Sequence, residues 1–145
     1  MTSPVQVLTG PGRALDGVVA IATGGAHSLA LRRNGTVWAW GYNGTGQLGT
    51  GSYREGANSY AVPVPGLRSI RAIAAGPAMS FAVDWDGKAW AWGFGPNGNL
   101  CLSPETFGGR RFVDSPTQIV NADGTPFNLN VRGPSPLLQS IKPFN

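Results

Sequence analysis

The stretch Thr36-Val37-Trp38-Ala39-Trp40-Gly41 returns 52 residues later as Lys88-Ala89-Trp90-Ala91-Trp92-Gly93. Laid over one another without a gap, residues 18–51 and 70–103 are identical at 14 of 34 positions, among them Ala20/Ala72, Ile21/Ile73, Gly24/Gly76, Ser28/Ser80, Gly35/Gly87 and Leu48/Leu100. A period near 50 residues, made of short extended runs and glycine turns, is the mark of propeller blades. The chain is therefore read as all-β: two antiparallel four-stranded propeller blades, forming an incomplete ring or part of a larger propeller.

Within each repeat the residue pattern places the strands. Residues 18–22 read as a small-residue strand buried on both faces, broken by Gly24-Gly25. His27, Leu29 and Leu31 alternate with Ser28 and Ala30, which is strand periodicity, and the second repeat has Met79, Phe81 and Val83 on the matching face. Asn34-Gly35 and Asp86-Gly87 are hairpin signals of the type I′ kind. Each leads into a Trp-Ala-Trp strand whose indoles share one face and whose small residues share the other. Trp38, Trp40, Trp90 and Trp92 are accordingly assigned to the core between blades, with His27, Gly24 and Gly76 as further structural repeat positions.

The fourth, outer strand of a blade is read from the Pro-Val type runs at residues 4–7, 61–64 and 116–120. That gives three outer strands against two inner sets, so one is left over and two blades cannot close a ring. The expected division is two repeats over 1–120, at about 18–67 and 70–120 with 4–7 as an extra outer strand. An irregular tail, rich in proline and glycine, covers 121–145, residues 42–51 read as a glycine-rich loop followed by a less regular segment to Tyr60, and 96–111 as a longer insertion.

Composition narrows the function. Of 145 residues 22 are glycine and 12 proline, yet 41% are hydrophobic and five are tryptophan, which fits an ordered, turn-rich β protein. The net charge of +4 comes from scattered cations, paired only at Arg32-Arg33 and Arg110-Arg111, so a nucleic-acid partner is not expected. Neither a leader peptide nor an apolar run long enough to span a membrane is visible, and the cytoplasm is the default expectation. The single cysteine, Cys101, excludes an internal disulfide and is expected to be a small buried hydrophobe.

Chemistry is sparse. The only histidine, His27, is replaced by Met79 in the second repeat, which argues for packing over catalysis. Neither a zinc-ligand set nor a carboxylate pair for acid–base work is present, so no catalytic residue, metal or cofactor is assigned. The glycine-rich loop after Gly41 lacks the Gly-Lys-Ser/Thr and helix of a phosphate loop. The candidate binding residues are those at blade tips and in the second insertion: Arg32 and Arg33, Asp84, Trp85 and Asp86, and Arg110 and Arg111. Trp85 stands out because the first repeat has Arg33 there, and an exposed indole near arginines has the composition of a binding hot spot.

The run Val19-Ala20-Ile21-Ala22-Thr23-Gly24-Gly25-Ala26-His27-Ser28-Leu29-Ala30-Leu31, followed by Asn34-Gly35-Thr36-Val37-Trp38-Ala39-Trp40-Gly41 and by Gly46-Gln47-Leu48-Gly49, resembles the repeat of the regulator of chromosome condensation family. The first repeat matches throughout. The second has lost the histidine, the second glycine and the Gly-Gln-Leu-Gly close, and residues 121–145 lie outside the likeness. The resemblance implies a β-propeller, usually of seven four-stranded blades, serving as a protein-binding platform. Members include a guanine-nucleotide exchange factor for a small nuclear GTPase, a plant ultraviolet photoreceptor and bacterial β-lactamase inhibitors. The photoreceptor's chromophore tryptophan falls where this chain has Gly25 and Pro77, which excludes that function.

The resulting expectation is a noncatalytic protein-binding propeller module using blade-tip loops. Its alternatives are a carbohydrate-binding propeller assembled from two-blade subunits, with glycan as ligand, and, more weakly, a guanine-nucleotide exchange factor-like regulator. Self-association or further repeats are expected to complete the ring.

Overall fold

The computed structural model describes residues 3–95 and 100–129. Its elements run β1 (Leu8–Gly10), β2 (Arg13–Ala14), β3 (Val18–Thr23), β4 (His27–Arg32), β5 (Val37–Asn43), β6 (Arg54–Pro63), β7 (Ile70–Ala75), β8 (Met79–Asp84), β9 (Ala89–Phe94), a 3-10 turn at Pro104–Phe107, and β10 (Phe112–Gln118). Strands β3-β4-β5-β6 form one antiparallel sheet and β7-β8-β9-β10 a second of the same order. These are the two blades, and the ring they belong to is incomplete.

Side-chain alternation gives each blade a front and a back. The front of blade 1 carries His27, Leu29, Leu31, Val37 and Ala39; the back of blade 2 carries Ile73, Ser80, Ala82, Trp90 and Trp92. These two surfaces meet in one hydrophobic cluster with Leu48, Val64, Leu67 and Ile70. Large residues on one blade thus enter the space left by small residues on the other, as close packing requires. The front of blade 2 is covered differently, by Leu100, Leu102 and Phe107 from its own β9–β10 connection.

Several sequence expectations need correction. Strand β3 is not buried on both faces: Ala20 and Ala22 pack toward blade 2, whereas Ile21 on the back is 69% exposed. Trp38 and Trp40 share that back face and stand outside the cluster between the blades; Trp92 and Trp90, the latter half-buried as they are, lie within it. The leftover outer strand does not form, since residues 4–7 have no strand structure. The following loop instead folds as the β1–β2 hairpin around Pro11-Gly12. Strands β6 and β10 start earlier than read, at Arg54 and Phe112, because irregular register lets the connections pair with β5 and β9.

The Asn34-Gly35 and Asp86-Gly87 turns are not type I′. Only the glycines have positive φ, 81° and 84°, and the bonds run from Gly35 N–H to Arg32 C=O and from Gly87 N–H to Asp84 C=O. This is the three-residue hairpin, a type I turn closed by a left-handed glycine. Part of the expected irregular tail pairs with blade 2: Phe127 N–H bonds Ile119 C=O and Leu129 N–H bonds Gly87 C=O. The remainder of that tail, with Leu137, Leu138 and Ile141, lies outside the described residues, as does 96–99 of the second glycine-rich loop.

Candidate functional site

Two polar constructions stand out: a buried one that joins the blades and an exposed one at their ends. The buried one begins at His27, which is 3% exposed and whose Nε2 lies 2.8 Å from Ser80 Oγ. The Ser80 hydroxyl donates to the Gln47 carbonyl at 2.8 Å, and Trp92 Nε1–H donates to the same carbonyl at 2.9 Å. Because the Ser80 proton is committed to Gln47, the Nε2 of His27 is the donor in their bond. Nδ1 is then the bare lone pair, buried without a partner. A backbone bond from Gly25 N–H to Pro77 C=O, 3.0 Å, continues the seam.

The Gly-Gln-Leu-Gly loop is shaped for this purpose. Gln47 folds its side chain back to accept from Thr45 N–H and Oγ, which fixes the loop and frees its main-chain carbonyl toward blade 2. Asn43 Oδ1 accepts from Leu48 N–H, seating Leu48 in the core. Gly24 is needed because a Cβ there would strike the His27 ring, and Gly76 bears the same relation to Met79.

Burial lowers the His27 pKa from 6.5, an effect larger than the opposing backbone contact from Met79. With the folded value below the unfolded one, neutral His27 contributes stability that is complete above pH 6.5 and is lost as pH falls below it. The melting temperature should therefore drop between pH 7.5 and 5, and the drop should shrink in His27→Gln. A pH-independent wild-type melt over that interval would contradict a buried neutral ring.

The exposed construction lies at the end where the β4–β5 turn, the β6–β7 connection and the β8–β9 turn meet. Ile70 N–H bonds Gly35 C=O at 3.1 Å and Trp85 N–H bonds Ser69 C=O at 3.0 Å, which sets Arg33, Arg68, Ser69, Trp85 and Asp86 on adjoining backbone. Ser69 holds a left-handed conformation, φ 53°, at the centre. Trp85 is 72% exposed, and Arg33, Arg68 and Asp86 are exposed around it. Arg68 was not singled out in the sequence, because it lies between the repeats rather than in either.

The other candidates behave differently. Arg32 is tied to the Asp16 carboxylate, donates from Nε to the Asp16 carbonyl, and lies 5.7 Å over the Trp38 ring. Asp84 is buried, with its carboxylate accepting from Lys88 N–H at 2.9 Å, so it closes its own hairpin. Arg110 and Arg111 are exposed at the opposite end of the blades, Arg110 within 3.7 Å of Asp114, whose backbone bonds the first glycine loop at Gly51. Arg32 and the Arg110-Arg111 pair thus do not join Arg33 and the tryptophan tip in one surface. Cys101 is exposed rather than buried, its backbone at φ 56°. Among the described residues no group of three histidine, cysteine or acidic side chains could hold a metal, and no helix is long and apolar enough to cross a membrane.

Paired four-stranded meanders packed face to face through a 52-residue repeat define a β-propeller repeat protein. Residues 18–47 and 34–83 match the family described as Regulator of chromosome condensation (RCC1) repeat, and the chain is an RCC1-type repeat protein. It is 38% identical over 99 residues to the Ultraviolet-B receptor UVR8 of Arabidopsis thaliana, covering 66% of this chain and 22% of that protein. It is 31% identical over 121 residues to the Regulator of chromosome condensation of Xenopus laevis, covering 79% and 28%. Among solved structures, yeast RCC1 (Prp20) bound to Kap60 superposes with a TM-score of 0.65 at 26% identity, over 75% of this chain and 26% of that one. Human WBSCR16 superposes with a TM-score of 0.59 at 27% identity, over 74% and 27%. The chain thus spans about a quarter of the length of these relatives.

Proposed function

We propose that this chain is a noncatalytic protein-binding module, and that it contacts its partner through the blade end that carries Trp85. The observation that carries the reading is the 72% exposed indole on a hairpin whose backbone is fixed from both sides. A rigid tip presents Trp85 with little conformational entropy left to lose on binding, and Arg33 and Arg68 supply donors around it. The likeness to yeast RCC1, solved in complex with the protein Kap60, supports a protein partner. Of the residues first marked as binding candidates, Arg33, Trp85 and Asp86 belong to this surface.

The test is affinity capture with tagged wild-type chain from a source extract, followed by titration of the recovered protein against variants. Trp85→Ala should weaken binding about 30-fold or more, the scale of a hot-spot truncation of about 2 kcal/mol. The double variant Arg110→Ala/Arg111→Ala should bind as wild type. Loss of binding only in the second variant moves the site to the opposite end. Binding to an immobilised glycan array in place of any protein would support the carbohydrate reading instead.

A further inference from the structure

Just ahead of each aligned repeat the 52-residue spacing still holds, and there the two blades have exchanged their charges. Blade 1 has Asp16-Gly17 before β3 and Arg32-Arg33 at its β4–β5 turn; blade 2 has Arg68-Ser69 and Asp84-Trp85 in the same places. The backbone is alike in both, since Arg33 N–H bonds Gly17 C=O at 2.7 Å and Trp85 N–H bonds Ser69 C=O at 3.0 Å. The side chains differ. In blade 1 Arg32 pairs with the Asp16 carboxylate, and its Nε lies 3.8 Å from where a Cβ on Gly17 would stand. The exchanged pair is not made in blade 2, because Asp84 turns inward to accept from Lys88 N–H. Arg68 is left without a carboxylate, and Ser69 is exposed.

Serine is also a poor choice for the conformation of residue 69. Gly17 and Ser69 are both left-handed, with φ of 64° and 53°. Glycine adopts that region freely, whereas a Cβ is disfavoured there. Nothing in the folded chain compensates: among the described residues neither the Ser69 hydroxyl nor the Arg68 guanidinium makes a hydrogen bond or ion pair. A strained residue at the centre of an exposed surface, with its side chain unused, points to a contact made outside the chain. The free groups are donors, which suits an anion, and Arg33 is exposed beside them. Asp86 in the same hairpin opposes a dianionic phosphate more than a singly charged carboxylate.

We propose that Arg68 and Ser69 receive an acidic side chain of the partner protein, its carboxylate accepting from the Arg68 guanidinium and the Ser69 hydroxyl. This deepens the reading of the Trp85 end as the binding surface and rests on it. The partner then presents an aspartate or glutamate next to the apolar group that covers the indole.

The experiment selects binders from a random peptide library displayed on phage, with the whole chain as bait, and retests the selected sequences as synthetic peptides. They should carry Asp or Glu, and exchange of that acid for its amide should weaken binding about tenfold or more, the scale of a charge-assisted hydrogen bond. Arg68→Ala should weaken the acidic peptide as much and leave the amide peptide nearly unaffected. Ser69→Gly should weaken the acidic peptide about threefold or more, while its urea midpoint stays equal to wild type or rises, because glycine suits the conformation. Peptides that need Trp85 but keep their affinity after amide exchange and in Arg68→Ala overturn the proposal and leave the Trp85 reading in place. Peptides that need Arg68 and their carboxylate but not Trp85 uphold this site and remove the indole from it. A selection that yields no peptide sensitive to Arg68→Ala overturns the proposal. So does tighter binding with phosphoserine in place of the acid, or a lowered urea midpoint in Ser69→Gly, which would make the serine a structural choice.

Discussion

Trp92→Ala should lower the unfolding free energy by roughly 3–5 kcal/mol, the scale of emptying an aromatic core position. Trp92 is fully buried, and its Nε1–H is one of two donors on the Gln47 carbonyl. Truncation removes the packing of blade 2 against Leu48 and Val64 and leaves that carbonyl with Ser80 alone. Trp40→Ala, at the matching place on the open back of blade 1, should cost only about 1–2 kcal/mol, because its ring is incompletely buried and lies outside the cluster between the blades. Urea titrations of the two variants give the comparison directly. Equal losses would mean that the two backs are equally covered and that the assignment of the open face is wrong.

Gly41→Ala should be nearly as damaging, at about 3 kcal/mol or more, although it adds a single methyl group. Gly41 has φ 103°, a conformation that side chains with a Cβ rarely adopt, and it faces His27 across β4–β5. A Cβ there would lie 2.6 Å from the Ala26 carbonyl oxygen and 2.9 Å from His27 Cα, both main-chain atoms that cannot swing aside. The strand must bend at this residue so that Tyr42 N–H can reach Ala26 C=O at 2.8 Å. Gly93 repeats the arrangement, with φ 104° and a Phe94 N–H to Ala78 C=O bond of 2.9 Å. Thermal melts of Gly41→Ala and Gly93→Ala should both show large losses, and a change of under about 1 kcal/mol in either would contradict the bend.

The repeat made the blades legible because identical residues 52 apart must solve the same packing problem. It revealed the strands β3, β4 and β5 and their partners β7, β8 and β9, and it marked Ser28 and Ser80 as equivalent. What it could not distinguish was which copy of each face is covered. Trp40 and Trp92 lie in the same Trp-Ala-Trp-Gly sequence, yet burial depends on whether another blade lies behind them. Residues outside the repeat were read least well. Residues 4–7 look like an outer strand by composition alone, and Arg68 gave no signal because its exposure comes from contacts at Ser69 with both hairpin turns. Asp84 and Trp85 are adjacent in sequence but separate in role: the carboxylate turns inward to cap Lys88 N–H, and the indole turns out.

That the two sheets pack as neighbouring blades, joined where His27 of one donates to Ser80 of the other, is tested most directly by a double-mutant cycle. His27→Ala, Ser80→Ala and the double variant, compared by denaturant unfolding at pH 7.5, should show a coupling of about 1 kcal/mol or more, as for groups sharing one buried hydrogen-bond network. Residues 53 positions apart have no local reason to couple. Losses that add to within about 0.3 kcal/mol would place the two side chains out of contact and contradict the packing of the blades.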